Sequence, residues 1–199
     1  MQSFGAALEL KPDFAGTWNN RATAYHLRIE DEIAFDPVSF TNVNLDRTQR
    51  NGLLLETDVE VGVWRLGARY HYVDADVRGG SFDGKRIPLA ARQTAKLIAR
   101  ADLPAGLTAY AELVAVDDRP FAGDFDNSLD RLPGYAVANL SLGWRAGAVG
   151  IDARVNNVLD REYAEYGAAS LTNDGNFNET ESYFPSPERN TRVSIRYDW

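Results

Sequence analysis

The last eight residues of the chain alternate polar and apolar side chains without interruption. In an extended strand, this period of two places Val193, Ile195, Tyr197 and Trp199 on one face and the polar residues between them on the other. Two structures fit such a strand. One is an amphipathic edge strand of a soluble sheet, and the other is a strand of a membrane β-barrel with an apolar face toward lipid and a polar face toward a wet lumen. The eight residues alone favour neither.

The same alternation recurs along the chain and predicts about nine strands, each near the roughly ten residues that a tilted membrane strand requires. Long polar connections between these strands alternate with short ones. The predicted strands cover residues 3–10, 18–34, 48–61, 64–73, 95–102, 107–116, 135–145, 149–157 and 191–199. The predicted long loops cover residues 31–47, 74–94, 117–134 and 158–190, and the short links cover residues 11–17, 62–63, 103–106 and 146–148.

This alternation of connection lengths indicates the fold class. An antiparallel meander with short turns at one rim and long loops at the other is typical of outer-membrane barrels, whose periplasmic turns are short. A soluble sandwich has less reason to alternate so regularly. We therefore predict an all-β fold, an antiparallel up-and-down meander of about nine strands that forms part of a transmembrane β-barrel. If the chain ends in the periplasm, all four long loops lie outside the cell.

The predicted strands have two different faces. Residues 48–61 place leucine and valine opposite arginine and acidic residues, with Leu54 as the exception. The next strand, residues 64–73, places tryptophan, leucine and tyrosine opposite basic residues that include Arg65 and Arg69. Charges of both signs thus face each other on neighbouring strands, which predicts ion pairs on the lumen side.

The lipid side is predicted from the same periodicity. In residues 18–34, the pattern predicts one apolar set that faces lipid and one polar set on the opposite face. The apolar set is Tyr25, Leu27, Ile29 and Ile33, and the polar set is His26, Arg28 and Glu30. Aromatic residues are expected to form a girdle at the membrane interface, although packing in a core explains any single one of them. The residues predicted to form this girdle, at the rim of short turns, are Trp64, Trp144 and Trp199.

Composition restricts the function more than the fold. The 199 residues include no cysteine, which excludes disulfides and thiolate metal sites. A net charge of −8 argues against nucleic acid, whose binding depends on basic residues. Charged residues interrupt every apolar run well before the ~20 residues that a spanning helix needs. No basic and apolar leader follows Met1, so we expect the start of an exported protein to lie elsewhere.

Two motifs near the C-terminus carry a family resemblance. Residues 155–163 read Val-Asn-Asn-Val-Leu-Asp-Arg-Glu-Tyr, and residues 187–190 read Pro-Glu-Arg-Asn before the terminal strand. This order resembles the C-terminal end of TonB-dependent outer-membrane receptors, which show an Asn-Leu-Phe-Asp-like segment, a Pro-Gly-Arg-like segment and a last strand ending in an aromatic residue. Residues 84–90 and 132–135 are similar to segments before other late strands of that family. Three positions depart mildly from the family pattern: Val158, Glu188 and Trp199.

The resemblance implies a domain organisation. Family members resemble plugged barrels of roughly 22 strands, so the nine or so strands predicted over residues 1–199 correspond to the C-terminal part of such a barrel. The plug domain, the first strands and the short segment that contacts TonB have no counterpart in this sequence. We therefore interpret the chain as a C-terminal part of a receptor barrel, which alone would form an open curved sheet or a partial barrel.

The resemblance also implies uptake across the outer membrane of a Gram-negative cell. In the family, the loops capture a scarce ligand, typically a ferric siderophore, cobalamin or a similar small ligand, and TonB supplies energy through the N-terminal region absent here. The implied partners are outer-membrane lipid, that ligand and the barrel-assembly machinery, and no cofactor is implied. The part of the terminal strand that resembles the assembly signal consists of Val193, Ile195, Tyr197 and Trp199.

Candidate ligand contacts lie in the long loops, because exposed loop aromatics often anchor ligands. Packing of the loops against one another is the alternative explanation. The candidates are Phe82, Arg86, Phe121, Phe125, Phe177, Tyr183 and Phe184. A calcium site in the acidic loop is a weaker hypothesis, because the loop lacks the Asp-x-Asp-x-Asp-Gly spacing and acidic loops are usually solvated, so we predict no metal. The acidic residues are Asp117, Asp118, Asp124, Asp126 and Asp130.

Other functions stay open as alternatives. An enzyme is not indicated, because the sequence has two histidines and neither a nucleophile motif nor a phosphate loop. A complete small outer-membrane barrel, acting as a pore or adhesin, would need an even number of strands. A soluble β-sandwich binding module would stay soluble and monomeric without detergent.

Overall fold

The computed structural model describes residues 2–10, 16–172 and 178–199. Alternating apolar and polar residues form strands over most of this length. The strands are β1 (Gln2–Leu10), β2 (Thr17–Glu30), β3 (Ile33–Asp36), β4 (Thr41–Asn44), β5 (Arg47–Val61), β6 (Trp64–Val77), β7 (Gln93–Asp102), β8 (Leu107–Val116), β9 (Tyr135–Ala146), β10 (Val149–Asn156), β11 (Ala164–Leu171), β12 (Glu179–Pro185) and β13 (Asn190–Tyr197). Single 3-10 turns lie at Gly80–Phe82 and Pro104–Gly106.

Nine of these strands form one antiparallel sheet in the order β1-β2-β5-β6-β7-β8-β9-β10-β13. The order follows the chain except where a hairpin is inserted, so the predicted up-and-down meander of about nine strands is confirmed. Within the described residues the sheet is open, because β1 pairs with β2 and β13 pairs with β10 but not with each other. The three-dimensional structure therefore has two free edges, as expected for part of a barrel.

Two predicted loops contain hairpins of their own. Strands β3 and β4 pair with each other after β2, and β11 and β12 pair between β10 and β13. The prediction of one strand over residues 18–34 is therefore wrong. Strand β2 ends at Glu30, and Asp31 has a positive φ of 55° that turns the chain before Ile33 begins the hairpin.

The short connections lie at one rim of the sheet and the long loops lie at the other. Gly62 and Gly147 have φ values of 56° and 53°, and each sits in a two-residue turn between neighbouring strands. Glycine suits these positions because its φ can be positive without steric cost. At the same rim, β13 ends at Tyr197, two residues before the predicted end of the strand, and the backbone N–H of Asp198 donates to Ala148 O at 2.9 Å.

The two faces of the sheet differ in chemistry toward the rim of short turns. Directly paired residues of neighbouring strands share a face. One row of paired residues consists of Val61, Trp64, Ala101, Ala109, Leu142, Ala153 and Val193. The next row, one residue away and therefore on the opposite face, consists of Glu60, Arg65, Arg100, Tyr110, Ser141, Arg154 and Arg192. We call these sides the apolar face and the charged face.

Ion pairs lie across the charged face, as the sequence predicts. Arg69 of β6 contacts the carboxylates of Glu56 and Asp58 on β5, at 3.1 Å and 2.7 Å. Farther along the sheet, Lys96 of β7 lies 2.6 Å from Glu112 of β8. These contacts satisfy charged groups of the charged face.

The predicted orientation of Tyr25, Leu27 and Ile29 is wrong, because the register pairs Leu27 with Arg50 and Ile29 with Thr48. The register pairs Tyr25 with Gly52, which puts Tyr25 on the charged face, where its hydroxyl lies 2.7 Å from Nε2 of His71. His26 instead lies on the apolar face and stacks on Phe4 with ring centroids 5.1 Å apart. Gly52 makes this arrangement possible, because a Cβ at that position would lie 2.1 Å from Cζ of Tyr25.

The buried core lies among the long loops. Most large apolar side chains of β7 to β10 and β13 are exposed. A compact buried cluster instead forms where the loops meet the ends of β5 and β6. A single large sheet with its core at one rim differs from a sandwich, in which two sheets bury a shared interior. The buried cluster consists of Leu45, Ala75, Val77, Ile87 and Phe125.

Candidate functional site

The long loops pack together into one unit, which we call the loop body and define as residues 31–46, 78–92, 117–134 and the described parts of 157–189. Backbone hydrogen bonds join its second, third and fourth segments, and the first segment packs against them through Leu45 of the buried cluster. Leu89 donates to Pro120 O at 2.9 Å, and Ala122 exchanges bonds with the β11 hairpin through Gly167 O at 2.9 Å and the N–H of Ala169 at 2.8 Å. Because such bonds tie loops that are distant in sequence, the loop body has one defined arrangement.

Aromatic packing fills the contact between the third loop and the β11 hairpin. Phe121 is 0 % exposed, and its ring meets that of Tyr183 edge to face with centroids 5.2 Å apart. Leu132 is buried beside it. Gly167 allows the close approach, because a Cβ there would lie 2.6 Å from Cε1 of Phe121.

Arg119 fastens the same contact with its side chain, which is almost fully buried. Its Nη2 donates to the carbonyl oxygens of Glu165 and Ala164 at 2.8 Å and 3.2 Å. The guanidinium also lies over the ring of Tyr135, 5.6 Å from the centroid. Burial lowers the pKa of Arg119. The sequence offered no signal for this role, since a lone arginine in a polar loop is normally solvated.

Glu32 and Asp124 brace the other side of the loop body. The carboxylate of Glu32 receives two hydrogen bonds from Arg50, at 2.9 Å and 2.7 Å, and one from the hydroxyl of Thr48. Burial alone would raise the pKa of Glu32, but these hydrogen bonds lower it. Asp124 accepts the N–H of Ser128 at 2.8 Å, and burial raises the pKa of Asp124.

The structure separates the predicted ligand contacts into buried and exposed residues. Phe121 and Phe125 are buried in loop packing, and Phe82 is half-buried with its ring 5.5 Å from that of Phe125. The expectation that Phe121 and Phe125 are exposed is therefore wrong, because other loops cover them. Tyr183 and Phe184 are 49 % and 55 % exposed, so ligand contact by these two stays a prediction.

Two other candidates have distinct positions. Arg86 is largely buried, and its Nη2 donates to Ala90 O at 3.1 Å. Phe177 lies outside the described residues.

Several of the acidic loop residues make contacts within the chain. Asp124 binds backbone N–H groups, as above, and the carboxylate of Asp118 lies 3.9 Å from Nη1 of Arg86. The N–H of Asp130 donates to Glu181 at 3.3 Å. Among the described residues, no group of three or more His, Cys, Asp or Glu side chains is arranged to hold a metal ion.

The predicted girdle tryptophans all lie toward the rim of short turns. Trp64 and Trp144 are on the apolar face, and Trp199 follows β13 with its ring 6.5 Å from that of Tyr197. Trp18, which sequence reasoning did not select, is paired with Val59 and so lies on the apolar face as well. That these tryptophans lie at a membrane interface stays a prediction. So does the assembly signal, which consists of Val193, Ile195, Tyr197 and Trp199.

The two C-terminal motifs are joined in space. Asn157 is buried, and its side chain binds both the N–H and the carbonyl oxygen of Arg161, at 2.9 Å and 2.8 Å. Asp160 then accepts the N–H of Arg189 at 3.0 Å and its Nη2 at 3.1 Å. Asn157 and Asp160 have φ values of 50° and 53°, which asparagine and aspartate tolerate better than most residues. The motifs therefore hold the start of the last strand against the end of β10.

This arrangement defines a class of protein: part of an up-and-down β-barrel with an apolar face, a charged face and long packed loops at one rim. No helix in the described ranges is both long enough and apolar enough to cross a membrane. The family model for the β-barrel of TonB-dependent receptor-like proteins matches residues 3–158. The chain belongs to the TonB-dependent receptor family. Members of this family are transport receptors of the outer membrane.

Solved structures support the same fold. The ferric yersiniabactin uptake receptor FyuA from Yersinia pestis is 22% identical, with a TM-score of 0.78, over 99% of this chain and 30% of that one. The ferric preacinetobactin receptor BauA from Acinetobacter baumannii is 18% identical, with a TM-score of 0.69, over 99% of this chain and 29% of that one. The copper transporter OprC is 18% identical, with a TM-score of 0.75, over 99% of this chain and 31% of that one.

The chain therefore spans about 30% of the length of the solved structures that it matches. A comparison with curated protein sequences found no match.

Proposed function

We propose that residues 1–199 form the C-terminal part of the barrel of an outer-membrane receptor that takes up a ferric siderophore, cobalamin or a similar scarce ligand. The observation that carries this proposal is the open nine-stranded sheet with one apolar face, one charged face and a packed loop body at one rim. The apolar face meets lipid, the charged face lines the lumen, and the loop body forms part of the extracellular mouth.

The two free edges support a role within a larger barrel. A closed barrel has no edge, whereas β1 and β13 each present unpaired backbone groups in the described structure. Strands from outside residues 1–199 would pair with both edges and complete the wall. TonB would act through an N-terminal region with a plug domain, and the barrel-assembly machinery would read β13 and Trp199.

Ligand contact is proposed for the exposed aromatic residues of the loop body. Tyr183 and Phe184 lie on β12, and the ring of Phe184 is 5.2 Å from that of Tyr166. An aromatic surface on a braced hairpin suits a ligand with apolar or aromatic groups. Arg86 and Phe82 contribute mainly to packing, so we expect their replacement to affect the loop body before the ligand.

The need for a membrane environment tests this proposal. The purified chain is refolded with and without detergent, and its sedimentation and its unfolding in urea are compared. We expect aggregation in plain buffer and a defined folded species in detergent, because a large apolar face otherwise meets water. A soluble, cooperatively folding monomer in plain buffer would contradict the membrane role.

A further inference from the structure

Arginine and lysine residues on the charged face follow one rule from β2 to β9. Each of them has a carboxylate within ion-pair distance, often on a neighbouring strand, as Arg69 has in Glu56 and Asp58. The residues that follow this rule are Arg21, Arg50, Arg65, Arg69, Lys96, Arg100 and Arg145. Over most of the sheet, carboxylates of this chain therefore neutralise the positive charges of this face.

The last two strands of the sheet break this rule. Arg154 of β10 and Arg192 and Arg196 of β13 lie on the charged face, and no carboxylate of the described residues is within ion-pair distance of any of them. Arg154 still donates from Nε to Oδ1 of Asn156 at 2.7 Å. Arg192 and Arg196 are exposed, and neither side chain makes a hydrogen bond to any residue that the structure describes.

The register of β13 explains why the residues opposite these two arginines do not neutralise them. Arg192 is directly paired with Arg154, so two positive charges face each other. Like charges in directly opposite positions destabilise a sheet. Arg196 is directly paired with Gly150, which has no side chain. The positions opposite both arginines on β10 therefore supply no counter-charge.

Two carboxylates lie near these arginines but pair with neither of them. Asp152 of β10 lies opposite the residue between the two arginines and is beyond ion-pair distance of both. Asp198 forms an ion pair with Arg145 instead. In the plane of the sheet, the remaining position for a counter-charge is the other side of β13, where the edge is free in the described structure.

The other free edge makes no such demand. On β1, the acidic residue of the charged face is Glu9, and it lies 2.6 Å from Arg21 of β2. The charge on that edge strand is therefore already neutralised by its neighbour within the sheet. The two edges thus differ: β13 selects a partner by charge, and β1 does not.

We propose that the free edge of β13 pairs with an antiparallel strand that carries one carboxylate opposite Arg196 and another opposite Arg192. The register fixes the order of residues on that strand. An apolar residue lies opposite Tyr197, followed by an acidic one, an apolar one opposite Ile195, a small polar one, an apolar one opposite Val193 and a second acidic one. The inference rests on the proposed function, in which further strands complete the barrel.

Peptide binding to the free edge tests the inference. The full chain is folded in detergent, and the binding of a fluorescent peptide of about ten residues with this pattern is measured by anisotropy. We expect the peptide with two glutamates to bind about fivefold more tightly than the same peptide with two glutamines, because two cross-strand ion pairs form. The chain that carries both Arg192→Gln and Arg196→Gln should bind the two peptides equally.

A matched variant controls for the overall charge of the chain. Arg100→Gln removes a positive charge from the same face on β7, away from both edges, and Asp102 keeps Arg65 as its partner. This variant should keep the fivefold preference for the glutamate peptide. Loss of the preference in Arg100→Gln would show that the net charge of the chain, rather than the edge of β13, selects the peptide.

Two altered peptides locate the contact. Moving both glutamates by one residue turns them toward the apolar face and should abolish the preference. N-methylation of the backbone that faces β13 removes its hydrogen-bond donors and should abolish binding, because pairing at a sheet edge depends on main-chain hydrogen bonds. A preference that survives N-methylation would indicate an acidic partner bound from the lumen and would overturn the inference.

The fold of the variants is checked by urea unfolding in detergent. The doubly substituted glutamine chain should unfold at the same urea concentration as the unchanged chain, because its two arginines have no described partner to lose. Arg192→Lys with Arg196→Lys keeps both charges and should keep the preference. A folded chain that binds neither peptide, or both equally, overturns this inference alone. A chain that is soluble and folds cooperatively in plain buffer contradicts the membrane role itself.

Discussion

The nine-stranded sheet, which we call the wall, and the loop body place their apolar side chains in opposite ways. On the wall, Leu142 is 54 % exposed and Ile195 is 75 % exposed, whereas in the loop body Phe121 and Leu132 are fully buried. A water-soluble protein places its core under its sheet and leaves its loops on the surface. Here the order is reversed, which is the arrangement expected when lipid covers the sheet and the loops must form their own interior.

The same contrast holds for polar groups. Most charges of the wall lie on the charged face, and their ion pairs are largely exposed, as for Arg21 with Glu9 at 2.6 Å. Some charges of the loop body are instead buried in its packing, as is Arg119, which donates to the carbonyl oxygen of Glu165. We therefore expect single substitutions to cost much more in the loop body than on the wall.

The largest expected effect is loss of the loop core. Phe121→Ala should destabilise the loop body by about 3–5 kcal/mol, because it removes a fully buried aromatic ring and leaves a cavity. Hydrogen exchange of the β11 hairpin, measured in detergent, reports this loss. Leu142→Ala on the apolar face serves as the matched control and should leave the exchange of that hairpin unchanged. Equal exchange in both variants would contradict the separation of wall and loop body.

A smaller effect is expected from overpacking the same contact. Gly167→Ala should cost about 1–3 kcal/mol, because the new Cβ would lie 2.6 Å from the Phe121 ring and must displace it. Limited proteolysis between β11 and β12 measures the resulting detachment of the hairpin. Gly150→Ala on the wall has an open environment, with its nearest atom 4.0 Å away, and should leave the proteolysis rate unchanged.

The pH dependence of the loop body has a definite sign at Glu32. Its folded pKa lies below the ordinary value, so its contribution to stability is complete above the unfolded pKa and is lost as the pH falls through the folded pKa. Glu32→Gln should cost about 1–2 kcal/mol at neutral pH, since it weakens bonds to Arg50. Urea unfolding of the β3–β4 hairpin, measured at neutral and at acidic pH, checks this prediction. If Glu32→Gln loses as much stability on acidification as the unchanged chain, Glu32 is not the source of that pH dependence.

Asp124 should behave in the opposite way. Because burial raises the pKa of Asp124, the contribution of this residue to stability is present below the unfolded pKa. It is lost as the pH rises through the folded pKa. Asp124→Asn keeps an oxygen that accepts the N–H of Ser128 and should reduce this pH dependence without unfolding the loop. The same urea titrations measure both residues. A pH dependence of the Asp124→Asn variant equal to that of the unchanged chain would contradict this assignment.

The smallest expected effect lies on the wall. Arg21→Gln should change stability by about 0–1 kcal/mol, because its ion pair with Glu9 is more than half exposed on both sides. Urea unfolding in detergent measures it. A cost as large as that of Phe121→Ala would show that charges of the wall are as tightly coupled as the core of the loop body.

The wall could be predicted from the sequence because its faces follow the period of two, as in the paired rows of Val61 and Glu60. The loop body could not, since its contacts join segments distant in sequence. Nothing local marks the burial of Phe121 or the hydrogen bonds of Arg119. The same period gave a wrong orientation for Tyr25. The charged face becomes apolar near the loop body, and a tyrosine fits there over Gly52. The C-terminal motifs were recognised by resemblance, and the structure shows that Asn157 and Asp160 serve the last strand.

Fluorescence quenching by brominated lipids tests the central claim most directly, because all four tryptophans lie on the apolar face or continue its period after β13, toward the rim of short turns. The chain is inserted into vesicles whose lipids carry bromine at different depths. We expect strong quenching by lipid bromines, greatest near the headgroups, and weak quenching by iodide in the water phase. Emission that iodide quenches and brominated lipid does not would contradict the assignment of the apolar face to the membrane.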